Sequence, residues 1–445
     1  MKRMVSTLLA FVLLFALLSG CAKEPEPLRI CIDLDATKVL MGFGGSTKDD
    51  LDDFQHYLEN EVELTNIVFE YIPGSGAERD TELSRIRTEI MSGGGPDVFV
   101  AHCIGNDYPE WTLGDGLFDM PEKSMELGLF LPLDEYIENA QYAEWDKFTR
   151  SIMDAGKNEE GQQLIPLTYS VHTAMYRAED FSHTPSNITW GDMLQSEELY
   201  DTAARIGDAE GMDRTCDSAI SSVIGALADF KEEELLFTED ELLQRTTEIC
   251  ELTAYTWETT PYYTPGWSEG SIGVKFNRSI NANGNRESRM LNGLSETDTL
   301  TLVPLYSDDG GCTATILSFA AVNRNTQRPQ DAFSVIDSLL STENQQNGAL
   351  FQKHIFRGSF DTSMPIHEEL MSGNCPTNPY MDLSDENFAA VCAVRDQITN
   401  VEFAGGMHTV LENMIQDCVR AYQNSEDYTG IVRDAYVTMK QMIAE

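Results

Sequence analysis

The chain is poor in positive charge. Lysine and arginine number 30 against 74 aspartate and glutamate, a formal net charge of −44. Nucleic acids and anionic lipid surfaces are bound through clustered Lys and Arg, so this balance argues against both as partners. Long apolar runs are also missing beyond residue 21, and no later segment reads as a membrane span. The nine cysteines include no CxxC pair, and no GxSxG, HExxH, P-loop or EF-hand string occurs. The runs DDLDD and SDD lack the glycine and ligand spacing of a calcium loop. Acidic pairs are too numerous to single out a catalytic dyad. The sequence therefore predicts a non-enzyme, with no cofactor and no metal. Its charge does not signal disorder, because 42% of the residues are hydrophobic and long segments are periodic. The length suggests two lobes or domains.

What is present begins at the N-terminus, MKRMVSTLLAFVLLFALLSGCAKEPEP. Lys2 and Arg3 give a basic start, an apolar run covers Leu8 to Leu18, and Leu18-Ser19-Gly20 precede Cys21. A basic start, a short apolar core and small residues describe a secretory signal. Small residues directly before a cysteine resemble the bacterial lipoprotein signal. That resemblance implies a signal peptide over 1–20 and a mature chain that begins at a lipidated, palmitate-bearing Cys21. An ordinary signal peptide or an uncleaved anchor is the alternative. Segment 22–27, AKEPEP, then reads as a tether. The expected place is the extracytoplasmic face of a bacterial membrane, held by lipid. Eight cysteines remain at wide spacings, which leaves both free thiols and disulfides open.

Further on, LRICIDL (28–34) reads as a strand. Asp50–Glu59 reads as a helix with Leu51, Phe54 and Leu58 on one face. IVFEYIP (67–73) alternates like a strand, and Glu78–Met91 carries Leu83, Ile86 and Ile90 at core spacing. A glycine stop and then PDVFVAH follow. Strand–helix–strand–helix–strand is the pattern of a parallel sheet covered by helices. Segment 407–422 is helical by the spacing of Met407, Val410, Leu411, Met414, Ile415, Cys418 and Val419. The acidic KEEELLFTEDELLQ reads as a solvated helical face.

The order of these segments, with Gly93-to-Val98, Gly161-to-Pro166, Met175-to-Asp180, Pro185-to-Leu194, LTLVPLYSDDGGCTATILSFAAV and GSFDTSMPIHEEL, resembles the extracellular solute-binding proteins of ABC importers, in the family dominated by sugar binders. The likeness runs over most of residues 18–380. WSEGSIGVKFNRS (267–279) departs from the family's "F-x-x-G-x-a-A-M". The resemblance implies an α/β, two-lobed periplasmic-binding-protein-like fold of type II, with a mostly parallel sheet flanked by helices in each lobe and a hinge between them. Lobe 1 is expected over 28–170 with 303–345, and lobe 2 over 171–302 with 346–445. It implies a monomer that captures a small solute, a sugar or oligosaccharide, and delivers it to permease subunits. A sensing or adhesion lipoprotein, or a binder of an anionic or peptide solute, is the alternative.

Candidate ligand residues follow from strand ends. A parallel strand delivers the residues after it to the crevice at the carboxyl edge of the sheet. Asp35, His102 and Asn106 are expected there; a turn carboxylate and a buried, hydrogen-bonded histidine are the plainer readings. Trp111 in NDYPEWTLGDG and Trp267 in PYYTPGW stand in ring-rich loops where a sugar face could stack. Trp190 and Trp145 read as core residues, Trp145 at helix spacing with Tyr142 and Phe148. Arg278 lies in a basic island, VKFNRSINANGNRESR, and could grip an oxygen-rich ligand by forked hydrogen bonds. Gly311 begins a returning strand where a small residue would let backbone approach a ligand.

Overall fold

The computed structural model describes residues 26–34, 47–73, 76–103, 105–107, 112–114, 116–179, 181, 184–206, 219–259, 298–348, 364–368 and 384–444. Its centre is a seven-stranded sheet. Strand β1 (Leu28–Asp33) pairs in parallel with β2 (Ile67–Tyr71) on one side and β3 (Val98–His102) on the other. Helices α1 (Thr47–Asn60) and α2 (Gly76–Met91) make the crossovers that parallel neighbours require. Leu51, Phe54 and Leu58 of α1, and Leu83, Ile86 and Ile90 of α2, are buried. Gly93 stops α2 at φ +82°, with its own N–H on Ile90 O and the Gly94 N–H on Glu89 O.

The chain adds four more strands to this sheet. Strand β4 (Leu164–Val171) leads, through the single residue His172, into β5 (Thr173–Arg177). Strand β5 pairs antiparallel with β6 (Leu300–Pro304) in a small separate sheet. The turn 305–311 then leads into the long strand β7 (Cys312–Val322). β7 runs against its neighbours, antiparallel to β3 and to β4 through Ser318–Val322 and Ser318–Ala321. Its first half, Cys312–Ile316, pairs in parallel with β9 (Ile398–Phe403), and the short β8 (Met364–Pro365) adds to β4. The order is β8-β4-β7-β3-β1-β2, with β9 beside β7. Strand β7 is buried along its whole length, as befits a strand covered on both faces.

Three apolar clusters divide the described residues. The largest encloses the sheet. A second joins helices α3 (Glu239–Thr259), α4 (Gly406–Gln423) and α5 (Thr429–Ala444) through Ile249, Cys250, Leu411, Met414, Cys418 and Met439. A third surrounds the fully buried Trp190. Strand β6 and the residue after it serve two of them by a period of two: Leu300 and Leu302 face the first cluster, Val303 and Leu305 the third.

Several sequence expectations change in detail. Trp145 packs against the core as expected, stacked on Phe333 at 5.8 Å, but on a 3-10 turn Trp145–Lys147 rather than a helix. Its indole N–H donates to Asp337 at 2.8 Å, and that carboxylate also takes the backbone N–H groups of Gln141, Tyr142 and Ala143. This backbone cradle orders the bend that a periodicity reading takes for helix. The acidic KEEELLFTEDELLQ is a turn with a short strand Glu234–Leu235, helical only from Glu239. Phe237 and Leu242 are buried, so the stretch is not wholly solvated. The described cysteines, Cys31, Cys103, Cys250, Cys312, Cys392 and Cys418, are all free thiols. Burial pushes the Cys250, Cys312 and Cys418 thiols up to about 12, so they stay protonated and unreactive at neutral pH.

Candidate functional site

In an open sheet of parallel strands the carboxyl edge, here that of β1 and β3, is where ligands are generally met. At the end of β1 stands Asp33, buried, with Arg79 from the first turn of α2 donating to both of its oxygens at 2.6 and 3.0 Å. Arg79 also donates to Pro73 O, after β2, at 3.0 Å. A buried carboxylate requires such a partner, and the forked guanidinium supplies both hydrogen bonds at once. The pair ties the ends of β1 and β2 to α2 and leaves this corner of the edge without net charge.

His102 ends β3 and is buried, opposite Ser318 in the register with β7. Ser318 faces Thr168 of β4 on its other side, with their hydroxyls 2.7 Å apart. Three strands thus bring an imidazole and two hydroxyls to one level of the sheet. One residue beyond His102, the Cys103 N–H donates to Leu317 O, while the Ala404 N–H after β9 donates to Ile316 O. The ends of β3 and β9 therefore arrive at adjacent residues of β7. Gly116 closes in behind: a Cβ there would come within 2.2 Å of Cys103 O, so only glycine fits.

The two passages that leave this level run side by side. The Leu305 N–H donates to His172 O at 2.7 Å, and His172 Nδ1 meets Ser222 Oγ at 2.8 Å on the short helix Ala219–Ile224. Thr313 at the start of β7 donates to Ser222 O at 2.9 Å. Beyond the passages, Trp190 donates to Glu248 at 2.7 Å, and Arg245 joins Glu248 to Asp308, also at 2.7 Å. Trp190 is thus a core residue, as the sequence predicts.

A third link joins the sheet to the helical cluster. Glu122, on the helix Pro121–Glu126, accepts the Phe403 N–H at 2.8 Å. His408 Nε2 meets Glu402 at 2.9 Å, and the Gly405 N–H donates to His408 Nδ1 at 3.2 Å. Burial pushes the Glu122 carboxyl up to about 7, against the lowering pull of the Phe403 N–H.

Of the expected ligand residues, His102 stands at the carboxyl edge of β3. Asn106 lies in a short strand, Gly105–Asp107, paired with Thr112–Gly114; its side chain is outside the described residues. Asp35, Trp111, Trp267 and Arg278 also lie outside them, as does Cys21. Gly311 has φ +76°, and a Cβ on it would come within 2.5 Å of Gln397 O and of Thr399. The chain's own packing between the 305–311 turn and β9 accounts for this glycine. Sequence reasoning missed the Asp33–Arg79 pair, although an aspartate inside an apolar strand run is itself a signal that a cation must reach it. It also missed Thr168 and Ser318, whose hydroxyls sit inside continuous apolar runs. Among the described residues no group of His, Cys, Asp and Glu could hold a metal ion. Among them, too, no helix is long and apolar enough to cross a membrane.

No family model and no curated protein sequence matches the chain. Solved structures match almost all of it. An oligogalacturonide-binding periplasmic protein from Yersinia enterocolitica is similar over 94% of this chain and 99% of its own, with a TM-score of 0.52 at 14% identity. A cyclic α-maltosyl-1,6-maltose-binding protein from Arthrobacter globiformis covers the same shares, with a TM-score of 0.53 at 12% identity. A de novo designed cysteine esterase shares the fold as well, with a TM-score of 0.54 at 11% identity, over 94% of this chain and 98% of its own. At such identities the likeness is one of fold. The chain has the α/β fold of periplasmic solute-binding proteins, with a central sheet flanked by helices.

Proposed function

We propose that the protein is an extracytoplasmic receptor that captures a sugar or short oligosaccharide and hands it to the permease of an ABC importer. The observation that carries this reading is the likeness to sugar-binding proteins along 94% of the chain. The carboxyl edge supports it. The Asp33–Arg79 pair is neutral as a unit, and Thr168 and Ser318 bring hydroxyls to the level of His102. These groups are buried and bonded to one another, so they hold the edge in place and leave it without net charge, which suits a neutral ligand better than an ion.

On this reading the ligand lies between a lobe of residues 28–170 with 303–345 and a lobe of 171–302 with 346–445. His102, Asp35 and Asn106 line its polar side, Trp111 and Trp267 stack on its apolar face, and Arg278 grips an oxygen. Closure is a population shift driven by contacts made only in the closed state, and binding involves no covalent step. Cys21 carries the lipid that keeps the receptor at the membrane. The test is a calorimetric titration over a panel of neutral oligosaccharides and organic anions. Saturable sugar binding that Trp267→Ala or Trp111→Ala weakens by roughly 1–3 kcal/mol supports the proposal. Binding of an anion alone, weakened by salt and by Arg278→Ala, overturns it. For the anchor, Cys21→Ala should release the protein from membranes, and unchanged retention with normal mass counts against lipidation.

A further inference from the structure

The sheet ends at β2 with an open edge. The Leu28 N–H donates to Asn66 O at 2.8 Å, and the Ile72 N–H donates to Ile32 O at 2.9 Å. With Leu28 opposite Ile67 and Ile32 opposite Tyr71, this phase turns the backbone of Asn66, Val68, Glu70 and Ile72 toward β1. The N–H and C=O groups of Ile67, Phe69 and Tyr71 therefore point away from the sheet. Among the described residues, no strand pairs with that side of β2 and no side chain bonds those groups. Natural sheets blunt such an edge with proline, lysine or a bulge. The strand IVFEY has neither residue, and its register with β1 is regular. Its one charge, Glu70, is taken by Arg29 and Arg85, and Val68 is 43% exposed.

The two helices beside this edge differ in charge. On the face of Val68 and Glu70 lies α2, where Glu82 and Glu89 share Arg85, and Glu89 shares Arg29 with Glu70. Acids and bases nearly balance there. On the other face lies α1, with Phe54 6.2 Å from Phe69. Tyr57 marks the inner flank of α1. It turns its hydroxyl toward Ser341 and Asn344, just beyond the helix Pro329–Leu339 that packs on β3 and β7. At about 100° per residue, Asp52, Gln55 and Glu59 fall on the opposite flank, over the open edge. Gln55 donates to Glu59 at 2.7 Å. Among the described residues, no lysine or arginine pairs with Asp52 or Glu59, nor with the exposed Glu61 and Glu63 that lead into β2. Arg328 donates to Thr65 O and Asn66 O, but its charge is answered by Asp331 at 2.8 Å.

We propose that β2 is a docking edge for an extended, basic segment of a partner protein, which adds to the sheet as a further strand beside α1. Backbone bonds to Ile67, Phe69 and Tyr71 hold it. Lysines or arginines on the α1 face meet Asp52 and Glu59, with their stems over Phe69 and Tyr71, and apolar side chains on the α2 face cover Val68. Charge selects this occupant over a second copy of the chain. A copy paired antiparallel across the edge would bring its own α1 to the same face, acid against acid. The docking edge is independent of solute capture.

The test uses the full chain and three capped eight-residue peptides: alternating Lys-Val, alternating Glu-Val, and four lysines followed by four valines. At saturation the alternating Lys-Val peptide should slow hydrogen exchange of the Ile67, Phe69 and Tyr71 amides by about tenfold or more. The other two should leave them unchanged. Asp52→Asn with Glu59→Gln should weaken binding about fivefold, the scale of two exposed ion pairs. Phe69→Pro removes an outward donor and no bond to β1, and should abolish the protection at Ile67 and Tyr71. Should that variant fail to fold, Val68→Lys takes its place and should weaken binding by setting a cation against the basic peptide. Equal protection by the Glu-Val or the block peptide overturns the proposal, as does binding that leaves the three amides unchanged or that survives the loss of Asp52 and Glu59 at full strength. Protection that appears without peptide and rises with protein concentration makes a second copy the occupant, and overturns it too.

Discussion

The sheet and the helical cluster bury similar kinds of surface by different means. Around β7 the core is built of rings and β-branched side chains. Phe319 lies 6.0 Å from Phe118, 6.5 Å from Phe130 and 5.8 Å from Phe403, the last two edge to face. Such contacts fix direction as well as proximity. The helical cluster instead relies on Met407, Met414 and Met439 with Cys250 and Cys418, which are soft and adapt to irregular gaps. The sheet should therefore tolerate little change of shape, while the helices re-pack. The passages between these regions hold the polar anchors, where strand ends leave backbone groups that need partners.

The largest effect should come from breaking the ring cluster. Phe319→Ala removes a fully buried side chain with three ring neighbours and should cost about 3–5 kcal/mol by urea unfolding. Met414→Ala in the helices should sit at the lower end of about 2–5 kcal/mol, because its neighbours can close the gap. Equal losses at the two sites would erase the contrast. The Asp33–Arg79 pair breaks differently. Arg79→Met alone leaves a buried, unpartnered carboxylate and should cost about 3 kcal/mol or more, while Arg79→Met with Asp33→Leu should recover most of it. A double variant as unstable as the single would mean that the pair contributes net stability rather than mutual compensation.

A smaller loss is expected at Trp190. Trp190→Phe keeps most of the buried ring but removes the N–H to Glu248, which Arg245 still partners. A hydrogen bond to a charged group is worth about 1.5–3 kcal/mol, and the remaining Arg245 contact should keep the loss near the lower figure. Thermal unfolding of Trp190→Phe beside Glu248→Gln would show whether the two losses overlap, as they must if they report one bond.

The same contrast explains what the sequence revealed. Strands β1, β2 and β3 were legible because each is a short apolar run bounded by a helix with clear spacing, and because Gly93 announces the end of α2. Helix α4 was legible for the same reason, its buried Met407, Leu411, Met414, Ile415 and Cys418 recurring every three or four residues. Strand β9 was not. Only Glu402 and Phe403 of ITNVEF are buried, so neither period stands out, and its place is fixed by pairing with a strand some eighty residues earlier. Of the candidate site, His102 followed from the strand-end rule. The Asp33–Arg79 pair joins residues 46 apart, and the Thr168–Ser318 contact joins residues 150 apart. Such contacts are created by topology: the local sequence shows that Asp33 needs a cation, but not which residue supplies it.

The finest test compares two swaps that nearly conserve volume. Ile316→Leu is on β7, fully buried, where β9 begins to diverge and Ala404 bonds to Ile316 O. Moving the branch from Cβ to Cγ there forfeits strand preference and forces a new rotamer among fixed rings; about 1 kcal/mol is expected, within the usual ceiling of about 1.5 kcal/mol for such swaps. Met439→Leu is on α5, equally buried, but helix preference hardly separates Met from Leu and the neighbours Met414 and Cys418 can shift. Its effect should stay within about 0.5 kcal/mol of zero. Denaturant midpoints measured side by side decide the matter. A larger loss at Met439 than at Ile316 would show that the helical cluster, not the sheet, is the more closely fitted part of the molecule.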